Sequence, residues 1–249
     1  MITLASDFGT PYPAAMKGVI LRRCDARLVD IGHDFPRQNV KVAAFWLSQV
    51  LVEFPPAVHL VVVDPGVGTD RAAIAVRAGD HVLVGPDNGV LVPPARALAA
   101  SIDAYEIEAG EPRSSTFHGR DVFAPAAAEI HEAGVAGLSE LDWLTPTTAH
   151  TKLTFPNPDI TENIATGEVL AIDGFGNVVT NLPGDLLAGY DRITVNRTDV
   201  PVVESYAHVE PGEAVATVGS HGNVELAVNR GRGDEAFDLA VGDTVELIR

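Results

Sequence analysis

The chain has 249 residues, 46% of them hydrophobic, and carries 34 Asp and Glu against 17 Lys and Arg, for a formal net charge of −17. That apolar content excludes a disordered acidic chain, and the charge repels phosphate backbones, which excludes nucleic acid as a partner. The length suits one large domain or two modest ones, and no apolar run reaches the roughly 20 residues of a membrane-spanning helix.

Residues 2–6 read as a short strand ending in Asp7-Phe8-Gly9. This start lacks the basic flank and long apolar run of a signal peptide. Residues 16–24 carry helical spacing, 28–31 form a second apolar run, and 40–54 predict a helix with apolar steps at Val40, Ala43, Ala44, Leu47, Val50 and Leu51. Pro55-Pro56 stops it. Leu60-Val61-Val62-Val63 then reads as a strand buried on both faces, broken at Asp64 and followed by Pro65-Gly66-Val67-Gly68 and Arg71. Residues 72–76 and 81–84 predict a strand pair. Gly85-Pro86-Asp87-Asn88-Gly89 is a dense turn, 95–100 a short helix, 104–107 a strand and 122–133 a helix. Ser114-Ser115-Thr116 offers capping hydroxyls ahead of that last helix. Alternating strands and helices predict an α/β N-terminal domain with a mostly parallel central sheet.

Composition changes after about Gly137. Residues 145–163 are rich in Pro, Thr and Asn and read as a connection. From Gly167 onward, short alternating runs at 168–172, 177–180, 192–195, 214–218, 224–228 and 244–248, separated by Gly-containing turns, predict a smaller all-β C-terminal barrel. The expected boundaries are 1–150 for the first domain, 151–165 for the linker and 166–249 for the second. A lone Cys24 excludes an intramolecular disulfide and a thiolate metal cluster, pointing to the cytoplasm. The eight histidines hold no HxxxH or HExxH spacing, so no metal site is predicted. Lysine occurs only at Lys17, Lys41 and Lys152, and the acidic balance suggests a halophilic source, where salt screens self-repulsion.

Several polar clusters follow strands. Asp7 and Asp64 both end apolar runs, which in a parallel sheet places them on one edge, where open α/β sheets bind ligands. Asp64 and Arg71 are either a catalytic pair or a turn with a surface cation. Asp7 is either a ribose ligand or a helix N-cap. His118, in Phe117-His118-Gly119-Arg120-Asp121, precedes a helix. Gly66-Val67-Gly68 lacks the lysine of a Walker loop and is not a dinucleotide fingerprint. In the second half, Asp173-Gly174-Phe175-Gly176-Asn177 offers either an aromatic stacking face with a hydrogen-bonding amide or a hairpin turn with a core Phe. Gly219-Ser220-His221-Gly222-Asn223 is a second turn of this kind.

The ordered set ASDFG, VDPGVGTDR, GPDNG, STFHGRDVFAP, IDGFGNVVTN and GSHGNVELA spans nearly the whole chain. It resembles the S-adenosyl-L-methionine hydroxide adenosyltransferases, the water-using relatives of fluorinases and chlorinases. The resemblance implies hydrolysis of S-adenosyl-L-methionine to adenosine and L-methionine without metal or cofactor. It also implies a homotrimer, with the substrate between the N-terminal domain of one subunit and the C-terminal domain of its neighbour. Asp64, Arg71 and His118 match the family's catalytic triad. Asp7, with Phe8 beside it, matches a ribose subsite, Phe175 and Asn177 an adenine subsite, and Asp173 and Ser220 the methionine ammonium and carboxylate. Halogenases differ at Asp64 and His118, so water is expected over halide. The alternatives are halide-dependent adenosyl transfer and a non-catalytic adenosine sensor. Two departures concern the methionine end: no acidic residue follows within Thr10-Pro11-Tyr12-Pro13, and His221 stands where halogenases place Arg.

Overall fold

The computed structural model describes residues 1–249 and divides into two compact units, Met1–Thr154 and Phe155–Arg249. The elements of the first unit are, in order, β1 (Ile2–Ser6), α1 (Tyr12–Leu21), β2 (Leu28–Gly32), α2 (Val40–Val50), β3 (Val58–Val62), β4 (Ala73–Ala78), β5 (His81–Pro86), α3 (Val92–Leu98), β6 (Ile102–Ile107), α4 (Ala124–Ala133) and β7 (Leu144–Thr147).

Its seven strands form one sheet in the order β2-β1-β3-β5-β4-β6-β7. The first four are mutually parallel, but β5-β4, β4-β6 and β6-β7 are antiparallel. The sheet is therefore mixed, not mostly parallel as the strand–helix alternation suggested. The reversal starts at Gly79-Asp80, a two-residue connection too short for a crossover, so β4 and β5 must pair as a hairpin. Residues 145–147, read from sequence as the start of the connection, belong to the edge strand β7 instead.

Side chains alternate between two buried faces. Ile2, Leu4, Val58, Leu60 and Val62 join Met16 and Ile20 of α1 and Ala127 and Ile130 of α4 in one cluster. Ala5, Val61, Val63, Ile74, Val76 and Leu83 are equally buried. All five β3 residues are buried, as expected of a central strand covered on both sides. His59 is the polar exception. Its ring meets Thr3 Oγ1 at 2.8 Å and His81 Nδ1 at 2.9 Å, and burial, helped by His81, lowers its pKa to about 3.

Helix starts differ from the sequence reading. Asn39 caps α2 by accepting from Val42 N at 3.0 Å. No hydroxyl caps the helix after Thr116; a π-helical turn, Gly119–Phe123, leads into α4 instead, and Ser114 and Thr116 bond each other at 3.1 Å.

The second unit contains β8 (Asp159–Ile160), β9 (Ile164–Ile172), β10 (Val178–Pro183), β11 (Arg192–Val195), β12 (Thr198–Pro201), β13 (Ala214–Val218), β14 (Asn223–Val228), α5 (Gly233–Phe237) and β15 (Thr244–Ile248). All its strand pairs are antiparallel, in the order β12-β11-β15-β9-β10-β14-β13 with β8 added on β9. An isolated bridge from Val202 to Ala216 brings the two ends of this path together, giving a nearly closed barrel. Its core includes Val169, Val178, Leu182, Leu226, Val245 and Leu247.

Candidate active site

Parallel pairing of β1 and β3, with Ser6 opposite Val62, brings the chain just beyond each strand to one edge of the sheet. Asp7 and Asp64 follow there, and both line one cavity of about 580 Å³. The end of β3 is held by Asn88, whose Nδ2 donates to Val63 O at 2.8 Å. Gly85-Pro86-Asp87-Asn88-Gly89 is thus a support for the strand end.

Arg71 closes its loop onto Asp64. Nε donates to Asp64 Oδ1 at 2.9 Å and Nη2 to Oδ2, a bidentate pair whose side chains are 11% and 5% exposed. The same Nη2 reaches His118 Nδ1 at 3.0 Å, and the guanidinium carbon lies 5.0 Å from the centroid of Phe123. Asp64, seven positions before Arg71, and His118, 47 positions after it, thus meet around one cation. The alternative of a surface arginine is excluded by its burial and contacts.

A guanidinium has donors only. His118 Nδ1 therefore accepts from Arg71, and the single proton of the neutral ring sits on Nε2. Burial, then the Arg71 charge, lowers the His118 pKa against the opposing pull of Asp64 and Asp121. His118 enters the cavity as an N–H donor, while Asp64 is the neighbouring acceptor.

Two glycines allow the loops to meet. Gly68 adopts φ +80°, and a Cβ there would lie 2.9 Å from Ser115 O. At Gly119 a Cβ would lie 2.8 Å from Met16 Sδ, so a larger residue after His118 would have to displace the Met16 side chain of α1. Gly66-Val67-Gly68 is thereby a joint between loops rather than a phosphate cradle. The His118 loop is tied by Asp121, whose carboxylate accepts from Arg113 Nη2 at 2.9 Å, Arg120 Nε at 2.7 Å and Ser114 N at 3.0 Å. The Arg120 bond, aided by Arg113 and working against burial, lowers the Asp121 pKa to about 2.

Asp7 does not cap α1. Its Oδ2 accepts from Gln38 N at 2.6 Å, tying β1 to the chain before α2. Phe8, Tyr12 and Phe117 form an edge-to-face aromatic trio at the same cavity, with centroids 5.4 to 6.4 Å apart. Arg37 lines it too. Sequence reading missed Tyr12, Arg37 and Phe117; only the aromatic residues near the two polar motifs offered a signal.

Asp173, Phe175, Asn177 and Ser220 are gathered at a cavity of about 830 Å³ in the second unit. Phe175 is 80% exposed, so it is not the core residue of a plain hairpin. Asp173 is largely committed to its own turn: Oδ1 accepts from Phe175 N and Asn177 N, both at 2.9 Å, and Oδ2 from Asn177 Nδ2 at 3.0 Å. His221 turns inward. Its Nδ1 accepts from Asn223 N at 3.2 Å and its Nε2 donates to Glu225 Oε2 at 3.3 Å, with the side chain 3% exposed. It does not present the cation that an Arg would.

Residues 2–142 match the SAM hydroxide adenosyltransferase N-terminal domain, and residues 167–246 match its C-terminal domain. The chain belongs to the SAM hydroxide adenosyltransferase family. A protein of Salinispora tropica named (R)-S-adenosyl-L-methionine hydrolase is 39% identical, over 99% of this chain and 97% of its own. One of the same name from Thermus thermophilus is 40% identical, over 98% and 97%. The crystal structure of an uncharacterized conserved protein from Thermotoga maritima matches with a TM-score of 0.87 at 35% identity, covering all of both chains. Within this family frame, Asp64, Arg71 and His118 are the residues that sequence reading singled out, and they are the ones that share one guanidinium.

Proposed function

We propose that the chain hydrolyses (R)-S-adenosyl-L-methionine to adenosine and L-methionine, with Asp64, Arg71 and His118 as its catalytic residues. The observation that carries the site assignment is Arg71 Nη2, which serves Asp64 and His118 together beside a cavity that Asp7 also lines. A water oxygen attacks C5′. The O–C5′ bond forms as the C5′–S bond breaks, and its electron pair leaves on sulfur as the neutral thioether of methionine. The sulfonium needs no acid to expel it; the chemical requirement is an oriented oxygen in line with C5′.

The polarity of the cluster divides the work. Asp64 accepts the water's proton. His118 donates from Nε2 and orients the oxygen. Arg71 fixes both and limits the spread of negative charge. Asp7 holds the ribose hydroxyls with Phe8 beside it, Phe175 and Asn177 receive adenine, and Asp173 and Ser220 receive the methionine end. The Asp64 carboxylate repels halide, which disfavours the halide-dependent alternative.

We also propose the homotrimer that the resemblance implies, in which the first unit of one subunit faces the second unit of its neighbour. Each unit by itself offers a cavity lined by its own set of expected ligands, as such an assembly requires, and light scattering tests it. No helix is long and apolar enough to cross a membrane. We place the enzyme in the cytoplasm on its single cysteine, to be tested by cell fractionation.

Incubation with the substrate and chromatography for products tests the reaction. Adenosine and methionine in equal amounts are expected. A 5′-halo-nucleoside in chloride or fluoride would overturn the hydrolase reading, and tight adenosine binding without turnover would make the protein a sensor.

A further inference from the structure

A hydrogen-bonded chain, of which the reading above uses only Asp173 and Asn177, runs through the second unit. Asn177 Nδ2 donates to Asp173 Oδ2 at 3.0 Å and to the Tyr206 hydroxyl at 3.4 Å. That hydroxyl donates in turn to Glu225 Oε1, and Glu225 Oε2 accepts from His221 at 3.3 Å. The chain joins the β9–β10 turn to β14 by way of a short 3₁₀ turn, Tyr206–His208. Glu225 is 6% exposed and Asn177 8% exposed.

Its direction is fixed by chemistry. Ionised carboxylates accept and never donate, so Asp173 and Glu225 at the two ends force everything between them to donate outward. Tyr206 has one proton and gives it to Glu225, which leaves its oxygen to accept from Asn177. Burial alone would push the Glu225 carboxyl up, but bonds from His221 and Tyr206 bring it below its ordinary value; burial, then the Glu225 bond, raises the Tyr206 phenol. Both ends of the Tyr206–Glu225 link therefore keep the form this direction requires. Both Nδ2 hydrogens of Asn177 are spent, and a flipped amide would set its oxygen against the Asp173 carboxylate. Oδ1 is the pole of the amide with no hydrogen bond to the protein, and Asn177 lines the cavity.

We propose that Tyr206 and Glu225 are positioning residues that lock the Asn177 amide with its oxygen presented to the cavity, so that this cavity selects a 6-amino purine over a 6-oxo purine. The proposal rests on the reading that the ligand carries an adenosyl group. An amide oxygen accepts from an exocyclic amine and meets a 6-oxo group as acceptor against acceptor, a mismatch that binding sites penalise strongly. Asp173 alone leaves the amide hinged on one bond; the Tyr206 hydroxyl supplies the second.

Calorimetric titration of the full-length protein with adenosine and with inosine tests this. The wild type is expected to prefer adenosine by about ten-fold or more. Tyr206→Phe removes only the hydroxyl, at a side chain 37% exposed, and is expected to cut the preference by about five-fold, while raising KM for the adenosyl substrate more than it lowers kcat. Glu225→Gln still accepts from Tyr206 through its amide oxygen and should give a smaller fall. Asn177→Ala removes the preference, and Tyr206→Phe added to Asn177→Ala changes it no further. An unchanged preference in Tyr206→Phe, or an equal fall with Asn177 absent, would overturn the positioning role alone. A wild type that binds neither nucleoside would overturn the adenosyl reading as well.

Discussion

The two polar clusters of this protein are built on opposite rules. In the first unit a donor-only group, the Arg71 guanidinium, sits at the centre, and Asp64 and His118 must accept from it. In the second, acceptor-only carboxylates, Asp173 and Glu225, sit at the ends, and Asn177 and Tyr206 must donate toward them. Each arrangement fixes proton positions without an auxiliary group, because the central or terminal residue has only one hydrogen-bonding sense. The pair of buried His59 and half-buried His81 is the contrast. Its side-chain hydrogen bond to a third residue is to Thr3, whose hydroxyl donates or accepts, so no partner of one sense fixes its direction. A reactive site needs the first two kinds; the third suffices for a core.

The largest break in this comparison comes from Asp64→Asn. It keeps the shape but replaces one carboxylate oxygen with a donor facing Arg71, and removes the proton acceptor. Turnover is expected to fall by about 1,000-fold or more in steady-state assays. A variant within ten-fold of wild type would remove Asp64 from the mechanism.

Asp121→Asn tests whether the His118 loop needs its anchor. Its carboxylate contacts two arginines and Ser114 N, but Arg113 is 69% exposed, so solvent screens part of the gain. A stability loss of about 1–2 kcal/mol is expected by denaturant unfolding. Because the folded pKa is depressed to about 2, the wild-type contribution is complete above the ordinary Asp value and is lost as pH falls from there toward 2. Midpoints that coincide for variant and wild type at pH 7 would refute the anchor.

The pH profile sharpens the donor-only rule. The folded His118 pKa lies below 6.5, so its contribution to stability is complete above that ordinary value and declines as pH falls through it to the lowered folded value. The acid limb of kcat/KM attributable to His118 should accordingly lie below pH 6.5. Arg71→Met removes a cation but leaves burial, the larger cause, so an NMR titration of His118 should move upward by part of its shift. A downward move would contradict the assigned proton position.

The smallest effect per residue is spread over the surface. With a net charge of −17, we propose that the chain is adapted to high salt. Molar KCl should raise the thermal midpoint by several degrees over dilute buffer. Equal midpoints would dismiss the halophilic expectation.

Much of the first site was legible in sequence. Apolar runs broken at Asp7 and Asp64 marked strand ends, and the spacing to Arg71 is local enough for a loop to close. Tyr206 and Glu225 were not legible. They stand 29 and 48 positions from Asn177 in separate elements; Tyr206 lies in none of the ordered motifs, and Glu225, inside GSHGNVELA, carries no sign there of its link to Tyr206. Asp121 was visible only as the end of its motif, because its role depends on Arg113 folding back on it.

Strand ends, the polar residues that follow them and the family of the ordered motifs are all readable from the residues in order. These are local properties of side-chain period and turn chemistry. Only the tertiary structure decided the direction of β6 and β7 against the sheet, since periodicity is the same for parallel and antiparallel strands. It alone decided that His118 donates, that His221 turns inward and that the Asn177 amide has one orientation. Each of these depends on which donor or acceptor arrives from a distant part of the chain, and hydrogen-bond direction is a property of the pair, not of either residue.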